Sequence, residues 1–324
     1  MPQSLRTFAL VLIAVLGIMG MGGLYYSHSQ HIPENIAWAV LPAFLVEIGL
    51  YIAVGTEVIR ERIARTGAAL PLIAAIAAVV PYCIYSIPLH RFRPEAFVAI
   101  FVLAAISAGW YFVAGKNTRA DIGLLVFVAA VSLLKVFNWA YPEPYPKVAV
   151  SALGVLMWAR TGYLSVLAVR RMPGVNFGLW PDRKDWVIGL KQFVFFMPLG
   201  ILLGLWLNFL KVDSNPLTGR VLILAFVNFL GALWVLAPME ETFFRGVLQQ
   251  ALTKMTNSWI AGLIAASLLF GSVHLFFRAF PNWRFALLAT VAGIFYGLAF
   301  KQARSVRAAM VTHALVVTTW RLFF

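Results

Sequence analysis

The stretch at residues 221–246 reads VLILAFVNFLGALWVLAPMEETFFRG, and it joins a long apolar run to two glutamates and an arginine. Residues 221–239 contain no charged side chain, and a helix of this length crosses the roughly 30 Å of hydrocarbon in a bilayer. An ionisable side chain at mid-membrane costs about 2.5 kcal/mol or more, so each one there requires an explanation. The stretch therefore predicts a membrane helix that carries polar chemistry.

The rest of the chain has the same apolar character. Of its 324 residues, 62% are hydrophobic and 12% are charged, whereas soluble domains carry about 25% charged residues. Charged or proline-rich breaks separate about eleven apolar segments, which predicts an all-α, polytopic transmembrane helical bundle. The predicted spans are 7–26, 36–55, 69–88, 95–114, 122–140, 148–169, 187–210, 221 onward, 259–276, 285–300 and 307–324.

The net charge of +14 belongs to loops between the apolar segments, not to one basic stripe. This distribution argues against a nucleic-acid partner. An excess of Lys and Arg in alternate loops fits a cytoplasmic N-terminus. The only cysteine, Cys83, lies in an apolar segment, so neither an internal disulfide nor a CxxC metal motif is possible.

The widest break between apolar segments predicts a domain boundary. It runs from Arg170 to Trp186 and contains two prolines, a glycine and mixed charges. We predict an N-terminal membrane region of six helices at 1–170 and a second membrane domain at 186–324. The two halves show no sequence repeat, so the chain gives no support to an inverted-repeat transporter.

Few ionisable residues fall inside the N-terminal spans. Glu47 and Lys135 do so, and they either form a buried pair or reach the membrane interface. Arg160, Lys191 and Arg321 lie near the ends of spans, where we expect their side chains to extend to the interface.

In the motif after Pro238, the two glutamates are predicted to have different roles. Glu241 and Arg245 are four residues apart, the favourable order for an ion pair on one helix face. Glu240 points about 100° away from Glu241 and is left for chemistry. Pro238 removes a backbone donor and is expected to kink the helix here.

Two histidines follow in later apolar segments. His274 lies four residues after Phe270, on the same helix face, and His313 stands alone among apolar neighbours. Each histidine by itself is more typical of helix packing. Together with Glu240, they supply the groups that water activation needs: a general base, a second proton carrier and a group that stabilises an oxyanion. Because the two histidines lie at different depths along their helices, they meet only if helices tilt or break.

These motifs resemble those of the CAAX protease and bacteriocin-processing family (CPBP, or Abi-like) of intramembrane endopeptidases. The resemblance covers Trp186 to Phe324, and the added N-terminal helices resemble the bacterial branch associated with exosortase systems. It implies location in a bacterial cytoplasmic membrane and a membrane-associated peptide or protein substrate. The residues that carry it are Glu240-Glu241-x-x-x-Arg245, Phe270-x-x-x-His274 and His313.

The resemblance also implies a role for each of these residues. Glu240 would activate the attacking water with help from His274, and His313 would stabilise the oxyanion. Glu241, Arg245 and Phe270 would be structural or orienting.

One position departs from the family pattern. The third motif usually continues to Asn or Asp four residues after the histidine, and this chain has Val317 there. An oxyanion hole that lacks one donor loses roughly 10² to 10³ in rate. Thr318 and Asn228 are the polar candidates nearby in sequence.

Two further questions stay open at this stage. Zinc bound by Glu240, His274 and His313 is an alternative to a mechanism without cofactor, although the chain has no HExxH motif. The alternatives to proteolysis are a non-catalytic scaffold or immunity protein of the same fold and a proton-coupled transporter. Val317 favours the scaffold, whereas a transporter should have polar residues in both halves of the chain.

Overall fold

Every regular element in the computed structural model is a helix, across the residues it describes: 5–210, 218–278 and 280–323. Nine helices in this part of the chain are long and apolar enough to cross a membrane, which confirms an all-α membrane protein. These nine are Leu5–Ser29, Glu34–Gly55, Gly67–Ser86, Pro94–Val113, Ser151–Val169, Arg183–Trp206, Val221–Thr256, Trp259–Phe276 and Trp283–Ala303.

The chain forms two units, Met1–Arg171 and Met172–Phe324. The helices of the first unit are α1 Leu5–Ser29, α2 Glu34–Gly55, α3 Glu57–Ala64, α4 Leu70–Ser86, α5 Pro94–Val113, α6 Thr118–Leu133, α7 Val136–Ala140 and α8 Ser151–Tyr163. The helices of the second unit are α9 Arg183–Trp206, α10 Gly219–Gly231, α11 Ala237–Glu241, α12 Gln250–Thr256, α13 Trp259–Val273, α14 Trp283–Ala303 and α15 Val306–Phe323.

Two predicted spans are not among the nine long apolar helices. The segment 122–140 is interrupted, because α6 ends at Leu133 and Lys135 adopts a left-handed backbone conformation with φ of 51°. The segment 307–324 forms α15, which has 18 residues but lacks the apolarity of the other spans. Its last residue, Phe324, lies outside the described residues.

A buried ion pair in the first unit corrects one prediction. Arg160 does not reach an interface: its Nε lies 2.6 Å from Glu47 Oε1, and both side chains are at most 2% exposed. Arg160 also donates to the backbone oxygen of Ala77. Lys135 is exposed, so the partner of Glu47 is Arg160. A guanidinium satisfies a buried carboxylate because it donates two parallel hydrogen bonds.

In the second unit, α15 packs closely against α9. The Thr312 hydroxyl donates to the backbone oxygen of Gly189 at 3.0 Å. A Cβ at residue 189 would lie 2.6 Å from Val311, so glycine permits this approach. At the start of both helices, Arg307 bonds Asp182 at 2.9 Å and Asp185 at 2.8 Å. These contacts fix the position of α15 and of the His313 side chain on it.

Candidate active site

The two glutamates lie on α11, a short α-helical segment within the continuous helix 219–256. π-Helical segments flank it at Ala232–Leu236 and Thr242–Gln249. Pro238 is the second residue after the first π-helical segment and has no N–H to donate to the preceding turn. Such wide turns reorient side chains and often occur at functional sites.

Glu241 is the centre of a buried polar network. Its Oε2 accepts a hydrogen bond from Arg245 Nε at 3.1 Å, and its Oε1 lies 2.7 Å from His313 Nδ1. All three side chains are at most 4% exposed. Because a carboxylate only accepts hydrogen bonds, the Nδ1 atom carries the hydrogen. The sequence predicted the pairing of Glu241 with Arg245, but it did not indicate the bond between Glu241 and His313.

Glu240 has a different environment from its neighbour. Its side chain is 23% exposed, and its Oε2 lies 3.8 Å from His313 Nε2, which is too long for a hydrogen bond. Among the described residues, this oxygen has no hydrogen-bond partner. One carboxylate is thus engaged, and the other remains available beside the His313 imidazole.

His274 is brought to the site by the end of its helix. It follows α13 as the first residue of a 3₁₀ turn, His274–Phe276. Its Nδ1 lies 2.7 Å from the backbone oxygen of Phe270. Since a carbonyl accepts, Nδ1 donates and Nε2 is left as an acceptor in the neutral ring.

The Phe270 ring connects the two histidines. Its centroid lies 4.7 Å from that of His274 and 6.0 Å from that of His313. The Arg245 guanidinium lies over the same ring, 5.1 Å from its centroid. Although the sequence suggested different depths for the two histidines, both contact one phenyl ring.

Both histidines border one pocket with about 660 Å³ of empty space, part of it open to the exterior. Apart from them and Tyr296, the lining side chains are apolar. The full lining is Phe196, Met197, Gly200, Ile201, Phe209, Leu210, Phe270, His274, Phe285, Leu288, Ala289, Ala292, Tyr296, His313, Val316, Val317 and Trp320. A pocket of this kind accepts an apolar group next to the polar network.

Tyr296 is a site residue that sequence reasoning missed. Its ring stacks on His313 with centroids 4.6 Å apart and an angle of 11° between the planes. In sequence it is one aromatic residue of an apolar span, and nothing in that pattern distinguishes it from a packing residue.

Val317 occupies the position at which the family pattern has Asn or Asp. It differs in location from the two polar candidates, Thr318 and Asn228. Val317 lines the pocket. Thr318 donates its hydroxyl hydrogen to Ala314 in its own helix at 2.7 Å. Asn228 bonds Leu224 and Arg321. Neither polar candidate borders the pocket, so the structure does not place them at the site.

A metal centre requires several ligands at one point. Among the described residues, no group of three His, Cys, Asp or Glu side chains has the arrangement that could hold a metal ion. Glu240, His274 and His313 do not form such a group.

Comparison with known proteins identifies a family for part of the chain. Residues 219–319 match the family model of the Rce1-like type II CAAX prenyl endopeptidases. The matched segment begins at the first residue of α10 and includes Glu240, His274 and His313. No curated protein and no solved structure matches the chain. The chain is an integral membrane protein, and the match at residues 219–319 supports its placement in the CAAX protease family.

Proposed function

We propose that the second unit is an intramembrane endopeptidase that hydrolyses a peptide bond in a membrane-associated peptide or protein. The observation that carries this proposal is the contrast between two adjacent glutamates. Glu241 accepts hydrogen bonds from Arg245 and His313, whereas Glu240 Oε2 accepts none from any described residue. A carboxylate oxygen that is free beside an imidazole, within a membrane helix, is suited to accept a proton from water.

The reaction begins with the water molecule. Glu240 takes one of its protons, the Nε2 atom of His274 accepts a hydrogen bond from the other, and the water oxygen attacks the carbonyl carbon. The C=O electron pair moves to the oxygen, which becomes an oxyanion. When this intermediate collapses, the C–N bond breaks and the leaving nitrogen takes the proton from Glu240. One water is consumed, and the Glu240 carboxylate is restored.

His313 stabilises the oxyanion in this proposal. Its Nδ1 donates to Glu241, which fixes the orientation of the ring. Its Nε2 is the atom on the side of Glu240, where the reaction takes place. A ring that donates from both nitrogens is positively charged, and the two glutamates lie next to it. A fixed donor of this kind stabilises charge that develops in the transition state.

The apolar pocket supports a substrate that comes from the bilayer. Its lining contains no Asp, Glu, Lys or Arg, so a charged side chain would lose its hydration there without compensation. We therefore propose that the substrate places an uncharged apolar group in the pocket.

The proposed mechanism uses no metal ion. Zinc held by Glu240, His274 and His313 is the alternative, and it would activate the same water as a Lewis acid. The two mechanisms differ in their response to a chelator, which makes them separable by experiment.

The test is cleavage by the full-length protein in lipid vesicles. A library of membrane peptides is incubated with the protein, with and without a zinc chelator, and the products are identified by mass spectrometry. Vesicles without protein are the control. We expect cleavage that the chelator does not change. Loss of cleavage with chelator, restored by zinc, would show the metal mechanism, and no cleavage at all would favour a non-catalytic membrane protein.

A further inference from the structure

Tyr296 carries a phenol hydroxyl beside the candidate active site. The residue is 2% exposed and lines the pocket. A phenol on a pocket wall is a hydrogen-bond donor for a group that binds there.

Packing explains the ring of Tyr296 but not its hydroxyl. The ring stacks on His313 and lies 5.9 Å from the centroid of Phe270. A phenylalanine would make both ring contacts without the oxygen. The hydroxyl is therefore the part of the side chain that packing leaves unexplained.

Ring stacking places Tyr296 next to a residue of the polar network. Its ring is nearly parallel to that of His313, and both residues border the same pocket. Two hydrogen-bond donors from stacked rings are thus available on one side of the pocket, near the glutamate that is proposed to activate water.

The same pocket contains the position at which this chain lacks a donor. Val317 lies in the lining with an apolar side chain, and the polar candidates Thr318 and Asn228 are bonded elsewhere. We propose that Tyr296 donates a hydrogen bond to the substrate oxyanion and thereby replaces the donor that is missing at Val317. This inference rests on the proposed peptidase function.

The test substitutes Tyr296→Phe, which removes one oxygen and keeps the stacked ring. We expect kcat to fall by roughly 10² to 10³, the effect of losing one oxyanion donor, while KM stays within about threefold because the bond forms only in the transition state. Tyr85→Phe is the matched control: Tyr85 is fully buried, stacks on Tyr141, and has an unpartnered hydroxyl outside the site. It should leave kcat unchanged.

A second variant tests whether the donor, rather than the tyrosine as such, matters. Val317→Asn should recover much of the rate lost in Tyr296→Phe, and it should change the wild-type rate by less than about threefold, because Tyr296 already supplies the bond. A large gain in cleavage rate from Val317→Asn alone would show that the wild type has no residue that acts as this oxyanion donor. That result would overturn the inference even if Tyr296→Phe did not fold.

The outcomes separate this inference from the proposed function. If Glu240→Gln abolishes cleavage while Tyr296→Phe keeps the wild-type kcat, Tyr296 is a packing residue and the peptidase proposal stands. If the wild type cleaves but Glu240→Gln has no effect, the proposed catalytic role of Glu240 fails. If the wild type cleaves nothing, both proposals fail.

Discussion

At the scale of single residues, the network of Glu241, Arg245 and His313 joins three ionisable groups inside the second unit. All three groups are buried, and Arg245 forms an ion pair with Glu241. We predict that Glu241→Gln lowers the free energy of unfolding by about 3 to 5 kcal/mol, because it leaves a buried guanidinium without its countercharge. Denaturant unfolding in detergent measures this change.

The control for this prediction is an exposed ion pair. Glu61 lies 3.4 Å from Arg171, and both side chains are largely exposed. Glu61→Gln should therefore cost less than about 1 kcal/mol, as surface pairs do. Equal effects of the two substitutions would show that the Glu241 network does not stabilise the protein in the way that its burial implies.

At the scale of elements, the contact between α9 and α15 positions His313. A Cβ at residue 189 would lie 2.6 Å from Val311 and 2.9 Å from the backbone oxygen of Ala308. We predict that Gly189→Ala separates the two helices, lowers stability by about 1 to 3 kcal/mol and reduces cleavage. Gly231→Ala is the control, because a Cβ there meets nothing within 4 Å. Unchanged stability and cleavage in Gly189→Ala would mean that α15 adjusts freely.

At the scale of the whole molecule, the basic loops predict an orientation in the membrane. With the N-terminus in the cytoplasm, the exposed residue His31 between α1 and α2 faces outward, and the exposed Arg65 after α3 faces the cytoplasm. In a Cys83→Ala background, a membrane-impermeant maleimide should label His31→Cys in intact cells. Arg65→Cys should react only after permeabilisation, and the reverse pattern would contradict the orientation.

Composition and helical spacing were sufficient for local features. Apolar runs located the long helices, and the spacing of four residues predicted the pairing of Glu241 with Arg245. They could not reveal partners that only the folded chain brings together. Arg160 is 113 residues from Glu47, and His313 is 72 residues from Glu241. The same limit explains why Arg160 was wrongly expected at an interface: its position near a span end says nothing about a carboxylate on another helix.

Tyr296 was hidden for a related reason. Aromatic residues are common in apolar spans, and the sequence does not show which of them border a pocket. Only its contact with His313, 4.6 Å between ring centroids, distinguishes it. The meeting of His274 and His313 at the Phe270 ring was likewise not evident, because counting residues along each helix does not show how two helices pack.

The most direct test of the central claim is the cleavage rate of Glu240→Gln relative to wild type in vesicles. Glutamine keeps the size of the side chain but cannot accept a proton from water, so we predict a loss of at least about 10² in kcat with unchanged unfolding. Glu95→Gln, at a side chain that is 59% exposed, should retain the wild-type rate. A Glu240→Gln variant that cleaves as fast as wild type would contradict the account.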